Sequence, residues 1–243
     1  MIQIENLWKS FDGKEVLRGI DATFKPSIPN LAIGASGSGK SVMLKNLVGL
    51  IEPDKGKIMY GDEDFASMDY NEKQHIRRQI GMLFQNNALF DSMTVEQNIE
   101  FPLKMFTQLN PSERLDKVNQ CLKMVDLVNS NKKYPSEISG GMKKRVGIAR
   151  AIVLEIKYLF CDEPNSGLDP LTSRVIDELI AQLTVDLGIT TVINSHDMKT
   201  VKDIGENIIF IYKGEKWWQG SKDEIENARI NNKELDAFIS ASF

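Results

Sequence analysis

Ile2 and Ile4 alternate with polar neighbours at the start of the chain, the period-2 pattern of a half-buried strand. Asp12-Gly13 marks a turn, and Glu15-Val16-Leu17-Arg18-Gly19-Ile20 follows it as a second strand. Leu31-Ala32-Ile33 runs directly into glycines. Pro26 and Pro29 bracket a loop before it, so this strand is expected to start after Pro29. The period then changes: Leu44, Leu47 and Val48 share one face of a helix over 42–48, stopped near Gly49. Lys57-Ile58-Met59-Tyr60 returns to strand after a turn at Asp54-Lys55-Gly56.

Between Thr94 and about residue 128 the periodicity is helical. Thr94 with Gln97, and Asn110 with Glu113, read as capping boxes, the second with Pro111 at the first helical position. Leu115, Val118, Leu122 and Val125 then recur at helical spacing. Strand-type sequence resumes at Tyr158 and returns at Thr190–Asn194 and Asn207–Tyr212, with helical intervals between. This alternation predicts an α/β protein, residues 1–243 forming one domain, with a parallel sheet, helices on both its faces and a helical insertion over about 90–157. Trp217-Trp218 follows a turn at Lys213-Gly214-Glu215, either packing a small hairpin or resting on a membrane surface. Ser221 and Glu224 read as a further capping box. Ile225, Leu235, Phe238 and Ile239 make the last segment apolar on one side, packed on its own chain or bracing a dimer.

Composition narrows the class. With 243 residues, 42% of them apolar, the chain can bury a large core, and a net charge of −4 with interspersed signs argues against a nucleic-acid-binding face. Lys143-Lys144-Arg145 is the densest charge cluster, and its place on a helix assigns it to solvated surface. No apolar run approaches the roughly 20 residues that span a bilayer, and the first residues read as strand rather than signal peptide. A cytosolic protein is expected, unless a partner holds it at a membrane. Cys121 and Cys161 lack metal-ligand spacing and read as small apolar side chains.

The chemistry is concentrated in three motifs. Gly34-Ala35-Ser36-Gly37-Ser38-Gly39-Lys40-Ser41 lies between an apolar strand and a helix, where glycines let backbone amides crowd around phosphate oxygens and the helix start adds its dipole. Lys40 is expected on the β- and γ-phosphates and the Ser41 hydroxyl on Mg²⁺, with Val42 among the nucleotide-binding residues. Asp162 and Glu163 end an apolar strand, the first suited to hold Mg²⁺ through water and the second to align the attacking water. Ser139-Gly140-Gly141 opens a helix as a second anion cradle; a plain cap would explain Ser139 but not two glycines. That cradle is too far from the first to serve the same nucleotide, so two copies of the chain are expected to complete each other's nucleotide sites.

In kind, order and spacing these motifs resemble the nucleotide-binding subunit of an ATP-binding cassette (ABC) transporter over essentially the whole chain. The resemblance implies the P-loop NTPase fold of ABC ATPases: a mostly parallel sheet core, an N-terminal antiparallel β subdomain and an inserted helical subdomain. It also implies that Phe11 stacks on adenine, Gln85 links Mg²⁺ and water to a partner subunit, Asp169 contacts the opposite protomer, and His196 touches the γ-phosphate. On the residues alone, Phe11 could be core, Gln85 a strand-end polar residue, and His196 a buried histidine bonded to backbone. Two positions depart from the usual pattern: Met142 stands where Gln is common and Asn165 where Thr is common. Neither removes a phosphate donor or metal ligand.

The stretch Met82 to Val95, with Asn98, Pro102-Leu103 and Met142, resembles the Mla/Mce-type ATPases that energise lipid movement between bacterial membranes. That resemblance implies a permease dimer, an Mce-type substrate-binding protein, a phospholipid or other lipid cargo, no nucleic-acid partner, and a place on the inner face of the bacterial inner membrane. Leu89, Phe90 and Met93 either dock a short helix of a membrane subunit or close the chain's own core. The alternatives are a soluble non-transport ABC ATPase, such as one for iron–sulfur assembly, or the ATPase of a non-lipid transporter.

Overall fold

The computed structural model describes residues 1–241. Strands β1 (Ile2–Phe11) and β2 (Lys14–Phe24) pair as a hairpin through Asp12-Gly13. β3 (Pro29–Ile33) leads through the glycine loop into α1 (Lys40–Leu47), followed by β4 (Lys55–Tyr60), β5 (Glu63–Asp64), α2 (Tyr70–Arg78) and β6 (Ile80–Leu83). Three helices come next: α3 (Val95–Phe106), α4 (Pro111–Met124) and α5 (Gly140–Ile152). Then β7 (Tyr158–Asp162), α6 (Pro170–Asp186), β8 (Thr190–Ser195), α7 (Met198–Ile204) and β9 (Asn207–Tyr212) alternate, before β10 (Glu215–Gly220), α8 (Ile225–Ala228) and α9 (Lys233–Ala241).

The strands form two sheets. One is antiparallel, in the order β2-β1-β4-β5. The other runs β10-β9-β3-β8-β7-β6, parallel from β9 to β6 with β10 antiparallel at its edge. Period-2 alternation divides the apolar residues of the parallel sheet between two clusters. Leu31, Ile33, Leu159, Cys161 and Ile193 join residues of α3 to α7 and α9, whereas Ala32, Phe160, Val192 and Ile209 meet α1 and the antiparallel sheet. Burial on both faces is why these strands read as unbroken apolar runs. Helices thus cover one face, as expected, but the other is shared by α1 and the antiparallel sheet. The β-rich first sixty residues have an apolar face of their own, and this is where it is buried.

Several local expectations change. β3 begins at Pro29 itself, because the first residue of a strand loses little by lacking an N–H. β4 starts at Lys55, inside the expected turn, since Trp8 of β1 pairs with it. Helix α2 was not anticipated, although Asp69 and Glu72 form a full capping box at its start, and β6 was implied only by reading Gln85 as a possible strand-end residue. The boxes at Thr94 and Asn110 form as read. Leu115 is exposed, so the buried seam of α4 is Val118, Cys121 and Leu122, continued by Val125.

Lys143-Lys144-Arg145 is not a solvated cluster. Lys144 is 2% exposed and donates to the Gln85 carbonyl, and Arg145 donates to that of Val125 (2.9 Å), because this side of α5 packs on loops rather than water. Ser221 and Glu224 make half a box: Glu224 accepts the Ser221 N–H (2.7 Å), but the helix starts only at Ile225, so the pair closes a turn. Trp217 sits edge-on to Tyr212 and Trp218 packs on the core, while Ile225, Leu235 and Ile239 are buried. The tail therefore packs on its own chain. Both cysteines are buried, and burial pushes the Cys121 thiol up to about 11 and raises Cys161 as well. No helix among the described residues is long and apolar enough to cross a membrane.

Candidate functional site

Parallel strands align their carboxyl ends, and the chemistry-bearing residues collect along that edge. The glycine loop follows β3, Gln85 lies just past β6, Asp162 and Glu163 end β7, and Asn194 and His196 end β8. Gly34 takes φ +150, and a Cβ there would lie 2.2 Å from the Ile211 carbonyl, so the loop's course against β9 requires glycine. The loop then turns into α1, whose first residue is Lys40.

Lys40 is buried, and its Nζ donates to the carbonyls of Gly34 (2.6 Å) and Ala35 (3.1 Å). Burial lowers the pKa of its ammonium, while Glu163 and Asp162 pull it back up. Ser41 Oγ donates to Asp162 Oδ1 at 3.0 Å, and Asn194 Nδ2 donates to the same oxygen at 2.9 Å, fixing the carboxylate from two sides. Glu163 adopts a left-handed φ of 49°, its N–H donating to the Asn194 carbonyl (3.1 Å). Its Oε1 lies 3.1 Å from His196 Nδ1, and its Oε2 accepts from Gln85 Nε2 at 3.4 Å. Gln85 also donates to Ser166 Oγ (3.1 Å).

Lys40, Ser41, Gln85 and Glu163 wall a cleft of ≈340 Å³ together with Ser36, Gly37, Gly39, Val42 and Val16; Asp162 and His196 are not in its wall but bond to Ser41 and Glu163, which are. Val16 was missed from sequence because nothing local separates it from any other strand residue. Asn194, the second anchor of Asp162, stood in the motif before His196 without a role. Phe11 is neither core nor in the cleft wall: it is 42% exposed at the end of β1, with Lys9 Nζ 5.4 Å from its ring centre. His196 is exposed rather than buried against backbone.

Ser139, Gly140, Gly141 and Asp169 also lie outside that cleft wall. Ser139 caps α5, accepting the Met142 N–H at 3.3 Å. A Cβ on Gly141 would lie 2.6 Å from Thr172 Cγ2, so close packing of α5 on α6 already demands that glycine; Gly140 has ordinary room, with Leu168 at 3.4 Å. Asp169 caps α6, and the Thr172 hydroxyl and N–H hold its carboxyl below the usual range.

The residues fit a nucleoside triphosphate with Mg²⁺. Ser38 Oγ is buried in the loop without a hydrogen-bond partner among the described residues, and the Lys40 ammonium holds only loop carbonyls. Ser41 and Asp162 supply hard oxygen donors. No group of three or more His, Cys, Asp or Glu among the described residues forms a metal cage.

Residues 17–166, more than half the chain, match the family model described as ABC transporter. This chain belongs to the ABC transporter family. Among ABC relatives, "Probable ribonucleotide transport ATP-binding protein mkl" of Mycobacterium tuberculosis is 37% identical over 212 residues, covering 87% of this chain and 59% of that protein. This chain therefore spans less than two thirds of that relative's length. The methionine import ATP-binding protein MetN of Campylobacter jejuni is 36% identical over 241 residues, covering 93% of this chain and 72% of MetN. Among solved ABC structures, the dimeric, post-hydrolysis ATP-binding cassette MJ0796 bound to ADP and Pi superposes with a TM-score of 0.82 at 30% identity, covering 91% of this chain and 99% of that one. CbiO1 from Clostridium perfringens, part of the ABC transporter complex CbiONQ, gives 0.86 at 28% identity, covering 98% of each chain.

Proposed function

We propose that this chain is the ATP-hydrolysing subunit of an ABC transporter, working as a head-to-tail dimer that encloses two ATP molecules. The observation that carries the reading is the set of bonds that joins Ser41 to Asp162 and Glu163 to Gln85 and His196 beside Lys40, a set in which Ser139–Gly141, at the start of α5, take no part among the described residues. Each ATP lies between residues 34–42 of one copy and Ser139–Gly141 of the other. The amides of Ala35, Ser36, Gly37, Ser38 and Gly39 and the Lys40 ammonium surround the phosphates, Phe11 offers its exposed ring to adenine, and Asp169 meets the opposite protomer. Ser41, Asp162 and Gln85 hold Mg²⁺, which when bound neutralises charge on the phosphate oxygens. Glu163 takes a proton from the water that attacks the γ-phosphorus as the bond to the β-phosphate oxygen breaks, and His196 orients the same group from the other side. The MJ0796 dimer bound to ADP and Pi supports this arrangement.

A second pocket of ≈550 Å³, sharing no lining residue with the first, is lined by Phe84, Phe90, Phe101 and Phe106 together with Arg77, Arg78 and Arg150. It receives a short helix of a membrane permease, which holds the chain at the cytoplasmic face of the inner membrane. Leu89 instead packs on the chain's own core. The cargo is a lipid, handled with an Mce-type binding protein; the resemblance of residues 82–103 supports this, whereas the relatives' names, ribonucleotide transport and methionine import, give it no support. Replacing Glu163 by Gln is expected to preserve ATP binding, lower phosphate release about a hundredfold or more, and accumulate an ATP-bound dimer on size exclusion. Undiminished phosphate release refutes the role of Glu163. Capture from detergent-solubilised membranes should bring down a permease with phospholipid; recovery of the chain without any membrane subunit counts against transport.

A further inference from the structure

Asn165 departs from the family's common Thr, and its side chain has a definite place in this chain. Asn165 Nδ2 donates to Thr200 Oγ1 at 3.2 Å, and that hydroxyl donates to Asp177 Oδ2 at 2.8 Å. The result is a directed chain from amide to hydroxyl to carboxylate. It joins the turn after β7 to α7 and to α6. Asn165 stands two residues beyond Glu163, and Thr200 four beyond His196. Thr200 is fully buried and Asp177 is 2% exposed.

Stability alone does not account for a carboxylate here. Asp177 Oδ1 is buried without a hydrogen-bond partner among the described residues. Burial raises its pKa to about 6, with Asp197 and Asp203 adding to the rise and the bond from Thr200 opposing it. An apolar side chain of similar size would remove that desolvation cost. The neighbouring turn, meanwhile, has to be held. Glu163 sits in the left-handed region, which persists only where surrounding structure enforces it. Between this turn, α6 and α7 lies a cleft of ≈380 Å³ walled by Asn165, Leu168, Asp177 and Asp197, so close packing does not lock the three elements together on that side. Hydrogen bonds take its place.

We propose that Asp177 is a positioning residue for ATP hydrolysis, acting through Thr200 and Asn165 to lock the turn that carries Glu163 onto the helix that follows His196. The proposal rests on reading Glu163 and His196 as the hydrolytic pair. Its consequence is a fixed separation between carboxylate and imidazole when ATP is bound.

The test is steady-state phosphate release by the full chain with Mg-ATP, alongside thermal unfolding. Thr200→Val and Asp177→Leu keep size but break the chain of bonds, whereas Asp177→Asn still accepts from Thr200. Expected are a fall in kcat of tenfold or more for Thr200→Val and Asp177→Leu with KM for ATP within twofold, and at least half the parental kcat for Asp177→Asn. The unfolding midpoint of Asp177→Leu should be no lower than the parent's. The proposal is overturned if Thr200→Val and Asp177→Leu keep kcat within twofold, or if all three variants lose activity in step with their midpoints. Glu163→Gln serves as the control. If it retains turnover, the underlying reading fails; if it abolishes turnover while Thr200→Val does not lower it, the brace alone is wrong.

Discussion

The cleft around Lys40 is tied together by side chains from several strand ends, whereas the helix start at Ser139–Gly141 is held by its own cap and packs on Leu168 and on Thr172 of α6. In the first region nearly every polar group answers another within the chain: Ser41 and Asn194 to Asp162, Gln85 and His196 to Glu163. In the second, the first N–H groups of α5 point out of the helix by its geometry, as at any helix start. A site built the first way is assembled when one chain folds. One built the second way, on the proposed reading, would gain its phosphate when two chains meet.

The largest effect should come from separating the two regions genetically. A dimer of one Lys40→Ala chain with one Ser139→Arg chain keeps a single intact composite site if sites form across the interface. A dimer of one doubly substituted chain with one unsubstituted chain keeps none. Roughly half the parental ATP turnover is expected in the first and near-background turnover in the second; the reverse order breaks the comparison.

A pH experiment sharpens the internally tied side. The Asp177 carboxyl titrates at about 6 in the folded chain and near 3.9 unfolded. The raised value means that the folded state binds the proton more tightly, so this group's contribution is full below about pH 4 and lost as pH rises through 6. Urea unfolding should therefore find Asp177→Asn more stable than the parent by roughly 2–3 kcal/mol at pH 7.5, with the gap closing towards pH 4. A gap that is constant with pH would place the charge elsewhere.

Smaller effects separate packing from phosphate binding at the other region. Gly141→Ala pushes a methyl into Thr172 and should cost about 1–3 kcal/mol in stability, partly recovered when Thr172→Ser removes the opposing methyl. If ATP turnover recovers along with stability, this glycine serves packing; if only stability recovers, it serves the nucleotide. Smallest of all, Met142→Gln should change turnover less than threefold, because Ser139 is held by the backbone N–H of Met142 and not by its side chain.

What could be read along the chain followed how local its cause was. Gly34–Ser41, the boxes at Thr94 and Asn110, and the apolar strands declare themselves within a single turn or strand, and the structure places them where they were read. The box at Asp69 was equally local, yet the helix it opens is short and mostly exposed, with Ile76 its buried residue, so no apolar periodicity drew attention to it. Lys144 misleads for the opposite reason: its charge speaks for water, while its position on α5 carries it under the Gln85 loop. Gly141 looked like a phosphate ligand, and the Thr172 methyl gives it a second reason to be glycine.

Residue type and spacing placed the glycine loop between strand and helix and the carboxylates at a strand end, and these motifs carried the resemblance to ABC cassettes, because backbone conformation, capping and strand burial depend on neighbours a few positions away. The meeting of Gln85, Glu163 and His196, the burial of Asp177 beneath Thr200, and the covering of one sheet face by β1 and β2 came from folding alone. Each joins residues far apart in the chain, and parallel strands bring such residues together through register and sheet order, which no short window of sequence contains.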